Sequence, residues 1–143
     1  MCIRDSPSVK FITWLAIQNR LATRDRVSKW MEIDDSNCVM CNEDDETSHH
    51  LLHDCKYAKE IRRRLFRFLQ HRLEDTNFPE EILKMSKLNK KKTDRAKLIV
   101  AVWTEMIYSL WMQRNKKIFD NHSVSINDVV NDIIFRVAGR GRC

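Results

Sequence analysis

Glycine and proline are scarce in this sequence, which has only two residues of each among 143. Tight turns and strand-rich folds usually need more of both, so their scarcity favours long helices over sheets. The sequence also has no run of about eighteen apolar residues, and we therefore expect no segment that spans a membrane. With 43% hydrophobic and 32% charged residues, we expect a soluble protein that can still bury a core.

A secretory signal is also missing, because residues 1–19 have no small-residue cleavage site and carry Trp14 within an amphipathic pattern. We therefore expect an intracellular protein in a reducing compartment, where cysteines serve as metal ligands more often than they form disulfides. Three of the five cysteines lie close together, whereas Cys2 and Cys143 lie at opposite ends and have no evident partner. Residues 1–6 resemble the translation of a sequencing-library adapter, and we interpret them as a non-native tail. The alternative is an ordinary disordered N-terminus.

Apolar residues at three- and four-residue steps predict an all-α fold. On the first helix, the apolar side is predicted to include Val9, Phe11, Ile12, Trp14 and Leu15. The predicted helices are one from Pro7, then residues 24–31, one that carries His50 and ends near Cys55, and residues 57–73, 80–85, 93–119 and 126–138, with N-caps at Thr23, Thr47 and Ser125.

Aromatic residues on the longest predicted helix are interpreted as core residues. Trp103 and Trp111 lie within an apolar stripe at helical spacing. A base-stacking platform is the alternative interpretation, but this spacing favours packing in the core.

Potential metal ligands are concentrated between residues 38 and 55, where Cys38-x2-Cys41 is followed by three histidines and Cys55. Thiolates and imidazoles are the ligands that Zn²⁺ prefers, and four of them close a tetrahedral site with no open position. Such a site is structural and not catalytic. His53 lies too close to Cys55, but His49 and His50 both fit by spacing alone. The alternative is that the cysteines are small buried hydrophobic residues.

Charge is distributed unevenly. Residues 32–46 contain seven acids and no Lys or Arg, whereas residues 56–95 contain thirteen basic residues and six acids. An acidic loop would repel phosphate, so we expect any RNA or DNA backbone to contact the outer side of the helix over residues 57–73. The candidate contact residues are Arg62, Arg63, Arg64, Arg67 and Arg72. The alternative is an ordinary solvated basic face.

The order of these residues resembles the zinc-binding domain that follows the polymerase in reverse transcriptases of plant LINE-type (non-LTR) retrotransposons. The resemblance covers about residues 9–70 and rests on Phe11-x2-Trp14-Leu15, Arg20-Leu21-x-Thr23-x-Asp25-Arg26, Cys38-x2-Cys41 and Glu46-Thr47-x2-His50-Leu51-x3-Cys55. It implies one structural Zn²⁺ bound by Cys38, Cys41, His50 and Cys55, and it selects His50 over His49. Leu52 stands where the family usually has an aromatic residue.

The resemblance further implies a domain that binds RNA or DNA beside a polymerase domain, without a small-molecule substrate. Polymerase carboxylates are not recognisable, because the nearest candidate, Glu32-Ile33-Asp34-Asp35, lacks the preceding aromatic residue. We therefore expect no catalytic activity from this chain, which we interpret as a fragment or truncated copy. A helical protein-interaction module without nucleic-acid binding is the alternative.

The predicted organisation has four parts: a non-native tail (1–6), a zinc-binding domain (7–75), a basic linker (76–95) and a C-terminal helical extension containing a helical pair (96–143). The triple lysine Lys90–Lys92 in the linker suggests nuclear import, although three lysines are a weak signal.

Overall fold

The computed structural model describes residues 7–140, which form seven helices and contain no β-strand. These are α1 (Pro7–Ile17), α2 (Arg24–Val27), a π-helical turn (His50–Asp54), α3 (Lys56–Phe68), α4 (Phe78–Asn89), α5 (Asp94–Asp120) and α6 (Ile126–Arg140). The predicted all-α class is confirmed. No helix in this range is both long enough and apolar enough to cross a membrane. The predicted non-native tail, Cys2 and Cys143 lie outside the described residues.

Helix α5 lies at the centre of the fold and contacts α1, α3, α4, α6 and the π-helical turn. Its 27 residues span about 40 Å at the usual helical rise. The Thr93 hydroxyl caps its first turn by accepting a hydrogen bond from the Ala96 N–H at 3.2 Å. Asn121, in the left-handed conformation, ends it. The prediction of a helix over residues 93–119 is confirmed to within one residue at each end.

Both tryptophans of α5 are buried, which confirms that they belong to the core. The exposed fraction is 3% for Trp103 and 8% for Trp111. The indole N–H of Trp103 donates a hydrogen bond to Glu81 at 2.7 Å, so its polar atom is satisfied in the interior.

Helix α1 buries only part of the apolar side that its pattern predicts. Ile12 and Leu15 pack against the core. Val9, Thr13 and Ala16 are buried, whereas Phe11 and Trp14 are 58% and 48% exposed. Apolar residues surround almost the whole helix, so hydropathy alone does not select the face that packs against α5.

The predicted C-terminal ends of the helices over residues 24–31 and 57–73 are wrong. α2 is a single turn that ends at Val27, and α3 ends at Phe68. Gln70 adopts a φ of 53°, a left-handed conformation that stops a helix. Arg72 therefore lies beyond α3 and does not share a helical face with the other arginines.

Residues 76–95, which the sequence predicts as a basic linker, contain α4. This helix is longer than the predicted one over residues 80–85, because Asn77 caps it by accepting from the Glu80 N–H at 2.9 Å. Phe78 and Met85 are buried in the same core cluster as residues of α3, α5 and α6. The segment is therefore part of the packed fold and not a linker.

Arg62 is the main correction to the basic outer side predicted for α3. Only 3% of this residue is exposed, and its guanidinium donates to both carboxylate oxygens of Glu81 at 2.7 and 2.9 Å and to the Leu52 carbonyl at 2.7 Å. Burial raises the pKa of Glu81, but His53, Arg62 and Trp103 together outweigh it and hold this pKa below its usual range. Arg62 therefore joins α3 to α4 inside the protein.

A second buried ion pair joins the acidic loop to α5. Glu46 has no exposed surface, and its two carboxylate oxygens accept hydrogen bonds from Arg114 at 2.7 and 2.9 Å. One of these oxygens also accepts from the Arg24 N–H at 2.8 Å. The Arg114 guanidinium lies 4.7 Å from the centroid of the Trp111 ring. Glu46 therefore connects the loop, α2 and α5.

The capping role predicted for Thr23 is taken over by Glu46. The Thr23 hydroxyl bonds to the side chain of Asp25 and to the Leu21 carbonyl, and it makes no capping bond to the backbone of α2. The predicted N-caps at Thr47 and Ser125 are confirmed, since their hydroxyls accept from the His50 and Asp128 N–H groups.

Replacing Arg114 is expected to destabilise the whole fold. Arg114→Met leaves the Glu46 carboxylate buried without its partner, and such a loss costs about 3–5 kcal/mol of unfolding free energy. Urea denaturation of the zinc-loaded protein, followed by circular dichroism, measures this change.

The matched control is Glu43→Gln, which breaks the exposed Lys56–Glu43 pair. It is expected to leave the urea concentration at the unfolding midpoint almost unchanged. Equal midpoints for the Arg114→Met variant and the unmodified protein would contradict the structural role of the Glu46–Arg114 pair.

Candidate metal centre and basic face

Four potential metal ligands converge in the interior. One donor atom from each of Cys38, Cys41, His50 and Cys55 lies within 4.8 Å of the other three, and all four residues are buried. The Cys38 and Cys55 sulfurs are 3.9 Å apart. The Cys41 sulfur lies 3.2 Å from Nε2 of His50.

A tight turn presents the first two cysteines. The Cys38 N–H donates to the Asp44 carbonyl at 2.8 Å, and the Asn42 N–H donates back to the Cys38 carbonyl at 2.8 Å. Asn42 has a φ of 58°, and asparagine tolerates this left-handed conformation better than most residues. The turn therefore reverses the chain directly after Cys41 and directs both thiols to one side.

The π-helical turn explains the four-residue gap between His50 and Cys55. In an α-helix, residues five positions apart lie about 140° apart around the axis, on different faces. Here the Cys55 N–H donates to the His50 carbonyl at 2.7 Å, an i→i+5 bond that widens the turn. The wider turn brings both side chains toward the same point. Thr47 fixes the start of the segment by accepting from the His50 N–H at 3.0 Å.

The sulfurs of Cys38 and Cys55 influence each other's pKa. The contact with the Cys55 thiol lowers the pKa of Cys38 to about 5, although burial raises it. The same hydrogen-bonded contact raises the pKa of Cys55, and burial and the negative charge of a Cys38 thiolate raise this pKa further. Backbone N–H groups of Tyr57 and Ala58, in the first turn of α3, partly offset this increase.

These residues fit a zinc ion. Zn²⁺ prefers tetrahedral sets of Cys and His, and a Zn–S bond of about 2.3 Å places two thiolates about 3.8 Å apart. The separation of 3.9 Å between the Cys38 and Cys55 sulfurs agrees with this geometry. A divalent cation also removes the like-charge repulsion between buried thiolates, since coordinated thiols are deprotonated. Four protein donors leave no position for a substrate, so the chemistry available to the site is structural.

The other two histidines between Cys41 and Cys55, His49 and His53, lie outside the cluster. His49 is exposed, and its ring centroid lies 5.7 Å from that of Phe78. His53 is buried, with Nε2 2.6 Å from the Thr76 carbonyl oxygen and Nδ1 3.5 Å from Glu81. Of the two histidines that spacing left open, the structure thus places His50 among the cysteines.

Acidic side chains surround the centre on the solvent side. Asp44 is exposed, with Oδ2 4.0 Å from Nδ1 of His50, and Glu43 pairs with Lys56 at 3.0 Å. The nearest polymerase-like carboxylates, in residues 32–35, lie in an exposed loop, where Asp35 lies 3.7 Å from Arg24. The surface above the metal ligands is therefore unfavourable for phosphate.

Three of the five predicted phosphate-binding arginines lie on the outer side of α3. Arg63 and Arg67 are exposed, and Arg64 is partly exposed. The Arg63 guanidinium bonds to Glu60, with Nε 3.0 Å from Oε2, and Nε of Arg64 lies 3.5 Å from the same oxygen. Arg64 also contacts Asn127 of α6. Arg72 is exposed beyond the helix, and the buried Arg62 is not available to a phosphate.

Sequence reasoning missed the roles of Glu46, Arg62 and Arg114. The available signal was helical spacing. Arg114 follows Leu110 by four residues and Trp111 by three, and Arg62 follows the buried Ala58 by four and precedes Leu65 by three. Both arginines thus lie on the buried faces of their helices.

Metal content is expected to depend on His50 and not on His49. His50→Ala removes one of four donors, so the purified protein is expected to hold well under one zinc per chain. His49→Ala, the matched control, is expected to retain one. Inductively coupled plasma mass spectrometry measures the ratio, and thermal unfolding followed by circular dichroism checks that both variants fold. Full zinc retention in His50→Ala, or its loss in His49→Ala alone, would contradict the assignment.

Comparison with known families supports this centre. Residues 3–61, less than half of the chain, match the family model described as zinc-binding in reverse transcriptase. No curated protein and no solved structure matches the chain. The matched segment contains all four clustered residues and is therefore similar to the zinc-binding part of a reverse transcriptase, not to a polymerase catalytic domain.

Proposed function

We propose that this chain is a structural zinc-binding, nucleic-acid-associated domain of a LINE-type (non-LTR) retrotransposon reverse transcriptase of plant type, or a truncated copy of one. The observation that carries the proposal is the buried Cys3His cluster within the segment similar to that family. The domain has no catalytic role by itself. In a full-length element it follows the polymerase domain and helps to hold template RNA or target DNA.

In this proposal zinc stabilises the fold. Structural zinc contributes about 10–16 kcal/mol of apparent binding free energy in isolated finger peptides. The cluster supports a comparable role here, because it connects the acidic loop to α3, and Glu46 connects the same loop to α5.

The nucleic-acid backbone is proposed to contact the outer side of α3 and not the metal centre. Three thiolates with one Zn²⁺ carry a net charge of −1, which adds to the acids already around the centre. Along residues 56–72 there is one acid, Glu60, and there are seven basic residues: Lys56, Lys59, Arg62, Arg63, Arg64, Arg67 and Arg72. Arg62 is buried and does not contribute to this face, but the other six basic residues can bind phosphates with little preference for sequence.

A protein-interaction module is the second candidate, because α1 exposes large apolar side chains. Phe11 and Trp14, three residues apart on this helix, are 58% and 48% exposed. In this alternative α1 docks another chain and the basic face has no ligand.

Charge removal on α3 is expected to weaken RNA binding and flatten its salt dependence. The triple variant Arg63→Gln, Arg64→Gln, Arg67→Gln loses three phosphate contacts, which reduces the slope of log K against log salt by about 2 for a single strand. Glu60→Gln removes the only acid of this face and is expected to raise affinity. Fluorescence anisotropy with labelled RNA from 50 to 300 mM salt measures both effects.

The matched control replaces Lys29, Lys116 and Lys117 with Gln, which removes the same charge outside α3. It is expected to change the affinity much less than the α3 variant does. Equal effects of the two triple variants, or no salt-sensitive binding by the unmodified protein, would contradict the proposal and favour the interaction module.

A further inference from the structure

The aromatic ring of Phe68 lies close to exposed arginines of α3. The Phe68 side chain is 58% exposed, whereas the adjacent Leu69 is buried. Arg64 precedes Phe68 by four residues, so the two side chains are neighbours on one helical face. Arg67 is the adjacent residue and is also exposed. Phe68 therefore lies at the C-terminal end of the basic face.

We propose that Phe68 is a base-stacking platform and that the basic face of α3 binds single-stranded nucleic acid in preference to a duplex. The proposal rests on the function proposed above for this face and specifies its substrate. The arginines contact the phosphates, and one unpaired base stacks on the Phe68 ring.

The chemistry of the ring distinguishes the two substrates. A single strand can rotate a base out of its own stack, and every base has a π-face, so stacking on an aromatic side chain adds affinity with little preference for sequence. In a duplex the bases are paired and stacked on one another, so no base face is available to the Phe68 ring. A duplex therefore gains from the arginines alone, whereas a single strand gains from the arginines and from Phe68.

The surroundings of the ring favour nucleic acid over a protein partner. Along α3 the residues beside it on the exposed side are Arg64 and Arg67, so the helix presents the ring next to positive charge. Beyond the helix end, the Arg95 guanidinium donates to the Gln70 carbonyl at 3.1 Å. Arg95 and the exposed Arg72 thus extend the positive charge beyond the ring. A nucleic-acid strand that crosses Phe68 would contact this additional charge.

The test compares Phe68→Ala with the unmodified protein on three labelled probes of equal length at one salt concentration: single-stranded oligoadenylate RNA, a matched RNA duplex, and an abasic deoxyribose-phosphate strand. Loss of one stacked base is expected to weaken binding of the single-stranded RNA by about 5- to 100-fold. Binding of the duplex and of the abasic strand is expected to stay the same. Phe68→Trp, which keeps a ring, is expected to retain the affinity for the single strand.

The matched control is Phe119→Ala. Phe119 is 74% exposed near the C-terminal end of α5, and it lies 24 residues along that helix from Arg95, which corresponds to about 36 Å. This variant is expected to bind all three probes as the unmodified protein does. Zinc content and circular dichroism confirm the fold of each variant.

Failure of the inference differs from failure of the proposed function. Suppose that the α3 triple arginine variant loses affinity. If Phe68→Ala then keeps its affinity for the single strand, or loses affinity for the single strand and the duplex equally, the stacking role is wrong, whereas the proposed phosphate binding by the basic face still stands. An equal loss in Phe119→Ala also overturns the stacking role. If the arginine variant has no effect on any probe, both the proposed nucleic-acid function and this inference are wrong.

Discussion

The rest of the fold depends on the convergence of Cys38, Cys41, His50 and Cys55. Their sulfur and nitrogen atoms lie so close together that thiolates without a cation would repel one another. The loop that carries Cys38 and Cys41 is also strongly acidic. Such a loop has little apolar surface with which to fold on its own. A cation shared by the four donors removes the repulsion and fixes the loop against the start of α3.

Two buried arginines transmit this constraint to the helices. Glu46, at the end of the acidic loop, binds Arg114 of α5, and Arg62 of α3 binds Glu81 of α4 and the Leu52 carbonyl of the π-helical turn. Each guanidinium is almost completely buried and makes several hydrogen bonds, so the cost of desolvating it is offset only while its partners stay in place. The metal loop and the helices beyond the family match therefore share one core.

Helical periodicity predicted α5 and α6 because their apolar stripes are long and properly capped, at Thr93 and Ser125. Cysteine spacing likewise predicted three of the clustered residues. Periodicity did not select the buried face of α1, where apolar side chains surround the helix. The burial of the two arginines was missed because charge suggested exposure, although their helical spacing places both on buried faces. The π-helical turn has no simple sequence signal, since its bond between Cys55 and His50 depends on both side chains meeting the same centre.

The proposed function involves two regions of opposite charge. One is a metal centre that stabilises the fold, and the other is a basic helix face that binds nucleic acid. We propose that the bound metal fixes the acidic loop against the start of α3 and thereby stabilises the whole fold. Hydrogen exchange with and without a zinc chelator tests it most directly. Zinc removal is expected to abolish protection of the Cys38, Asn42 and Cys55 amides and to lower protection in α5 around Arg114. Unchanged protection at these positions in the metal-free protein would contradict it.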